Sequence, residues 1–161
     1  MGGRSVTTLI EACHLDWLSR ALSLPICSGG IDLADDTLGV EMKGRYQKYS
    51  SVWAVHQYQV AQFREENPEK ELYWAFLLYD LNPPLDKIKS SSFDRFVSER
   101  HVWFFQWDWI RQFAVSYPKT GPYVQINKNN FPSNKTFTRA TFKRGILYVP
   151  KHSSLEERIK K

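Results

Sequence analysis

One stretch restricts the architecture more than any other: Glu71-Leu72-Tyr73-Trp74-Ala75-Phe76-Leu77-Leu78-Tyr79-Asp80, an unbroken apolar run between charged ends. No polar residue alternates with the apolar ones, so neither face of a strand made from it can meet water. The run is also far too short to span a bilayer. It predicts a central strand in a sheet covered on both sides. A chain of 161 residues suits one domain, 1–161, with one sizeable core.

A second stretch, from Gly29 to Arg45, carries the chemistry. Ile31 and Leu33, then Val40 and Met42, alternate with Asp32, Ala34, Glu41 and Lys43, the period of half-buried strands. Asp35-Asp36-Thr37-Leu38 reads as the turn between them, followed by a glycine, Gly39, that tolerates positive φ. That turn pairs Ala34 with Gly39, Leu33 with Val40 and Asp32 with Glu41. Two carboxylates then face each other with Lys43 two residues further along. Like charges across strands repel, so stability alone gives no reason for the arrangement. A bound divalent cation turns the repulsion into a site. Asp35 and Asp36 are alternative acids, but their turn position favours a structural role.

Around these two stretches the pattern predicts helices and further strands. Thr8-Leu9-Ile10-Glu11 fits a capping box opening a helix, with Ile10, Cys13, Trp17, Ala21 and Leu18 at helical spacing. Glu11 therefore has two readings: it caps its own helix, the favoured one, or it projects toward the hairpin as an accessory metal ligand. Residues 52–66 read as a helix, with Trp53, Val60 and Phe63 on one stripe, and with the amide-rich turn His56, Gln57, Gln59 and Gln62. Residues 101–106 look like a strand leading into a helix for which Asp108 is a candidate N-cap. Residues 86–92 read as a polar loop and 93–100 as a short helix or irregular. Short strands follow at 122–127 and 145–149, joined by a Lys-, Asn- and Thr-rich connection over 128–144, with a last helical turn in the tail.

The formal charge of +5 permits a polyanionic partner. Two cysteines, Cys13 and Cys27, make neither a disulfide framework nor a zinc spacing. Charges at Arg4, Glu11 and Asp16 interrupt any secretory apolar segment near the start, and Val6 stands where myristoylation wants Ser or Thr. The expectation is an intracellular, cytoplasmic protein with no membrane association.

The order helix, Asp-bearing strand, Glu-x-Lys strand, Gln-rich helix, apolar strand resembles the PD-(D/E)xK nuclease superfamily, which includes restriction endonucleases and Holliday-junction resolvases. The matching residues are Asp32 and Glu41-Met42-Lys43; Glu11 falls where some members carry an extra acid, and Gln57 or Gln59 where some branches carry a glutamine. Ile31 stands in place of the motif proline, and Phe63 occupies the position where the RecB branch has Tyr. The resemblance implies an α/β (α+β mixed sheet) fold: a restriction-endonuclease-like core with a central mixed β-sheet flanked by helices. It also implies a Mg2+-dependent DNA endonuclease, for which Mn2+ can substitute, acting as a homodimer.

In that chemistry Asp32, Glu41 and Lys43 are catalytic. Asp32 and Glu41, with Glu11 as an accessory, hold the hard cation through oxygen. Lys43 orients the attacking water and stabilises the phosphorane charge. Arg45, Lys48, Gln57 and Gln59 contact DNA, the cations through backbone phosphates. Lys128, Lys135, Arg139, Lys143 and Arg144 form a further basic cluster, read equally as DNA contacts or as solvated loop charges. Two other classes compete: a non-catalytic nucleic-acid-binding module with the same fold, and an interaction protein using the aromatic strand around Trp103 to Trp109.

Overall fold

The structure is a computed structural model and describes residues 6–82, 93–114 and 123–159. In chain order it contains α1 (Val6–Leu22), β1 (Leu33–Ala34), β2 (Leu38–Tyr46), β3 (Val52–His56), α2 (Gln57–Glu66) and β4 (Glu71–Leu81). After these come α3 (Phe93–Phe96), β5 (Val97–Gln106), a 3-10 turn (Trp107–Ile110), α4 (Arg111–Ala114), β6 (Tyr123–Asn127), β7 (Phe137–Phe142), β8 (Gly145–Pro150) and α5 (Ser154–Ile159).

Six strands form one mixed sheet in the order β1-β2-β4-β5-β8-β7. β2 runs parallel to β4 and β5 parallel to β8, while the other pairs are antiparallel. As the apolar run demands, β4 is central and its side chains divide by alternation. Tyr73, Ala75, Leu77 and Tyr79 join a core with Ile10, Trp17 and Leu18 of α1 and Leu155 of α5. Leu72, Trp74, Phe76 and Leu78 join a second core with Trp53, Val55, Phe63, Val124 and Ile126. The fold is thus α/β, a mixed central sheet with helices on its flanks. No described helix is long and apolar enough to cross a membrane.

Several sequence expectations need correction. The stretch 52–66 is not one helix. Its first five residues form β3, which pairs with β6 in a separate two-stranded ribbon, Trp53 opposite Ile126 and Val55 opposite Val124. The alternation of buried Trp53 and Val55 with exposed Ala54 is a strand period, overlooked because the same residues also fit a helical stripe. The helix proper starts at Gln57, capped by His56, whose Nδ1 accepts from the Tyr58 amide at 3.1 Å.

α1 already includes Val6, so Thr8 lies inside the helix and is not the N-cap expected of it. Asp108 is no N-cap either: it sits within the 3-10 turn, preceded by Gln106, and pairs with Arg111 at 3.7 Å. The supposed connection over 128–144 contains β7, an edge strand whose polar composition hid it. β5 begins at Val97, immediately after the four-residue α3. The polar loop predicted at 86–92 lies outside the described residues.

Candidate metal and phosphate site

The hairpin register is the one read from the sequence for two pairs, Leu33 with Val40 and Ala34 with Gly39; the third expected pair, Asp32 with Glu41, lies beyond the ladder. Asp35 sets it. Its Oδ1 accepts the amides of Thr37 at 2.9 Å and Leu38 at 2.8 Å, while Oδ2 takes an ion pair from Arg158 of α5 at 2.6 Å. Burial alone would raise the Asp35 carboxyl, but those amides and Arg158 hold it at about 2. Asp35 is therefore a turn-former tied to the C-terminal helix. Gly39 does not use positive φ; among the described glycines that conformation belongs to Gly30, at 70°. Gly39 is needed for space instead, since a Cβ there would meet Leu72 at 2.7 Å and Ile31 at 3.1 Å.

Beyond that register Asp32 and Glu41 clasp each other. The Asp32 amide donates to Glu41 Oε1 at 3.1 Å, and the Met42 amide donates to Asp32 Oδ2 at 2.9 Å. Among the described residues no strand pairs with the outer side of β2 past Val40, so the Asp32 carboxylate satisfies an edge amide. β2 is not the half-buried strand expected: Leu38 to Met42 are all buried, and Glu41 is only 5% exposed. Burial pushes the Glu41 carboxyl up to about 8, the Asp32 charge pushes the same way, and Lys43 opposes both.

Lys43 joins the pair from two residues along the strand. Its Nζ donates to Glu41 Oε2 at 3.3 Å and to Gln59 Oε1 at 2.9 Å. Gln59 is thus the glutamine that enters the site, while Gln57 starts the helix without reaching Lys43. The helix is held there by indole chemistry: Trp107 Nε1 donates to the Val60 carbonyl at 2.7 Å, and Trp107 stacks on Trp74 at 3.9 Å. The ribbon is fixed by the same device, Trp53 Nε1 donating to the Leu77 carbonyl at 3.1 Å.

An open cleft of about 660 Å³ exposes this group. Asp32, Glu41, Lys43 and Arg45 line one wall, Val52, Trp53 and Ala54 of β3 another, and Thr8 and Glu11 of α1 a third. Glu11 therefore faces the cleft, the sharper of its two readings in position, yet among the described residues no three His, Cys, Asp or Glu side chains converge tightly enough to cage a metal. Lys48 is exposed in the turn after β2 and lines none of the three walls.

Compared with protein-family models, curated proteins and solved structures, the chain matches none. The site has to be judged on its own chemistry.

Two carboxylates and an ammonium in contact, at the edge of a rigid sheet and open to solvent on one side, fit a hard divalent cation that keeps several waters. The donor set is all oxygen, and a cation would offset the cost of ionising the buried Glu41 beside Asp32. The later basic cluster is not a single patch. Lys128 lies over the Trp103 ring at 5.3 Å on the ribbon side, whereas the Lys143 carbonyl accepts from Trp17 of α1 at 3.1 Å on the other side of the sheet. Sequence reasoning missed the β3 wall and the Trp107 bond to α2; the Val-Trp-Ala-Val alternation was the available signal for the first.

Proposed function

We propose that this chain is a metal-dependent deoxyribonuclease, an endonuclease with a restriction-endonuclease-like core that hydrolyses DNA phosphodiester bonds in the cleft of Asp32, Glu41 and Lys43. The observation that carries the reading is the clasp of two opposed carboxylates with Lys43 on one of them and Gln59 behind it. The amide hydrogen bonds hold the clasp together, but burial and the Asp32 charge both work against an ionised Glu41 there.

Asp32 and Glu41 would hold Mg2+ or Mn2+, and Glu11, which lines the same cleft, would be the accessory acid. When bound, the cation supplies Lewis acidity toward the phosphate and an acidified water. Lys43, steered by Gln59, donates to the attacking water and to the oxygens that gain charge at phosphorus. Since its ammonium already donates to two acceptors, it acts as orienter and stabiliser, not as base. Arg45, on the same wall, grips a flanking phosphate and adds affinity without sequence information. A homodimer would bring two such clefts to the two strands of one substrate.

The test is incubation of the purified protein with supercoiled plasmid in Mg2+, Mn2+ or EDTA, beside Asp32→Ala, Glu41→Ala and Lys43→Ala. Nicking that requires the metal and vanishes in all three variants supports the reading. Salt-sensitive binding without metal-dependent cleavage would instead identify a binding module. Gel filtration with light scattering reports the oligomer.

A further inference from the structure

The β3–β6 ribbon has one face packed into the core and one face open. Trp53, Val55, Val124 and Ile126 point inward. Outward, in the opposite alternation, stand the cross-strand pairs Val52–Asn127, Ala54–Gln125 and His56–Tyr123. Ala54, Tyr123 and Gln125 are exposed, and among the described residues no third strand pairs with this ribbon.

Three rings gather at its far end. His56 lies 4.9 Å from Tyr123 and 6.1 Å from Tyr58, in both cases edge to face. Tyr123 is 48% exposed and Tyr58 64%, although a folding chain normally covers such area. The near end of the same face, Val52 and Ala54, is a wall of the cleft that holds Asp32, Glu41 and Lys43. Tyr58 is also the neighbour of Gln59, which binds Lys43. From Val52 to His56 the strand covers about 13 Å, the length of about four stacked nucleotides at roughly 3.4 Å each.

The chemistry of this face is selective. It carries no carboxylate, so it does not repel a polyanion. At its middle, Ala54 is small and leaves the surface flat. Its amides, Gln125 and Asn127, match base edges, and its rings match base faces, which are accessible only where bases are unpaired. We propose that the open face of the ribbon is a stacking platform for unpaired nucleotides, which makes the substrate class single-stranded or branched DNA with an unpaired segment beside the cut phosphate. This inference rests on the nuclease reading of the adjoining cleft.

Fluorescence anisotropy tests it, with Ca2+ in place of Mg2+ so that nothing is cut. The probes are a labelled oligothymidylate and a blunt duplex of equal length at the same salt; the proteins are wild type, Tyr58→Ala, Tyr123→Ala and the two Tyr→Phe counterparts. The expected result is tighter binding of the single strand, lost by roughly five- to a hundredfold in each alanine variant. The phenylalanine variants retain it, and duplex binding is unchanged. Equal affinity for both probes, or alanine variants that bind the single strand like wild type, overturns the platform. Loss in the phenylalanine variants equal to that in alanine does so too, because it removes stacking as the cause.

The plasmid-nicking assay, run beside Mg2+-dependent cleavage of the labelled single strand and of a four-way junction, separates the two readings. Metal-dependent nicking without a ring-dependent preference for single strands refutes the platform alone. Ring-dependent binding without any metal-dependent cleavage supports the platform and refutes the nuclease.

Discussion

Gln59 Oε1 accepts a 2.9 Å hydrogen bond from Lys43 Nζ, linking the first turn of α2 to a strand sixteen residues earlier in the chain. The bond fixes where the ammonium points, since among the described residues the other acceptor holding Lys43 is Glu41, at 3.3 Å. Gln59→Leu should therefore lower kcat by about ten- to a hundredfold, the range for losing a hydrogen bond to a charged group, with little change in KM. Gln62→Leu, on the same helix but bonded to Glu66, is the control. Steady-state nicking kinetics on supercoiled plasmid check both.

The position of α2 depends in turn on Trp107, whose indole donates to the Val60 carbonyl. Trp107→Phe keeps an aromatic ring over Trp74 and removes the donor. Chemical denaturation should show a loss of about 0.5–1.5 kcal/mol for the hydrogen bond removed. Activity should fall together with the Gln59 contact.

Glu41 gives the fold a pH dependence of a particular sign. In the folded chain its carboxyl keeps its proton up to about 8, against an ordinary value of 4.5. Between those values the folded state binds more protons than the unfolded one, so metal-free stability falls as pH rises through that window and levels off above it. Thermal melts in EDTA should show this fall, and Glu41→Gln should abolish it. At pH 8.5 the variant should be the more stable by on the order of 2 kcal/mol, about 4–8 °C for a chain of this length. Parallel pH profiles for the two proteins contradict the assignment.

Asp35 behaves in the opposite sense. Its carboxyl, held at about 2 against an ordinary 3.8, adds stability that is present above the ordinary value and is lost as pH falls toward 2. Asp35→Ala should cost about 1 kcal/mol near neutral pH, as the loss of a capping acceptor does, and should leave metal-dependent cleavage in place. Abolished cleavage in a folded Asp35→Ala protein would make Asp35 the metal-binding acid in place of Asp32.

These residues also mark how far the sequence can be read. The hairpin was legible because a strand period of two and a short Asp turn leave one register; Asp32 and Glu41 meet just beyond its ladder, through the Asp32 and Met42 amides, which the pattern did not show. β4 was legible because its run is apolar on both faces. β3 was misread because its residues fit a helical stripe as well as a strand period, and the partner that decides between the two, β6, lies some seventy residues away. Gln59 could not be told from Gln57 until the start of α2 was fixed at Gln57, which decides which amide turns toward Lys43. His14 was passed over as one more polar residue on α1. It is fully buried between Tyr79 and Phe93, and burial holds its imidazole well below its ordinary value. Arg100, 1% exposed and stacked on Trp17 at 4.1 Å, could be foreseen no better, because a charge rescued by a tertiary contact leaves no local pattern.

The most direct measurement is uptake of Mn2+ followed by electron paramagnetic resonance, which needs neither substrate nor turnover. Wild type should take up Mn2+, with Mg2+ as competitor, and both Asp32→Asn and Glu41→Gln should weaken uptake beyond the roughly 10–100-fold that changes outside the ligand set produce. Uptake unaltered by either substitution in folded protein would contradict the claim that these two carboxylates form one cation site.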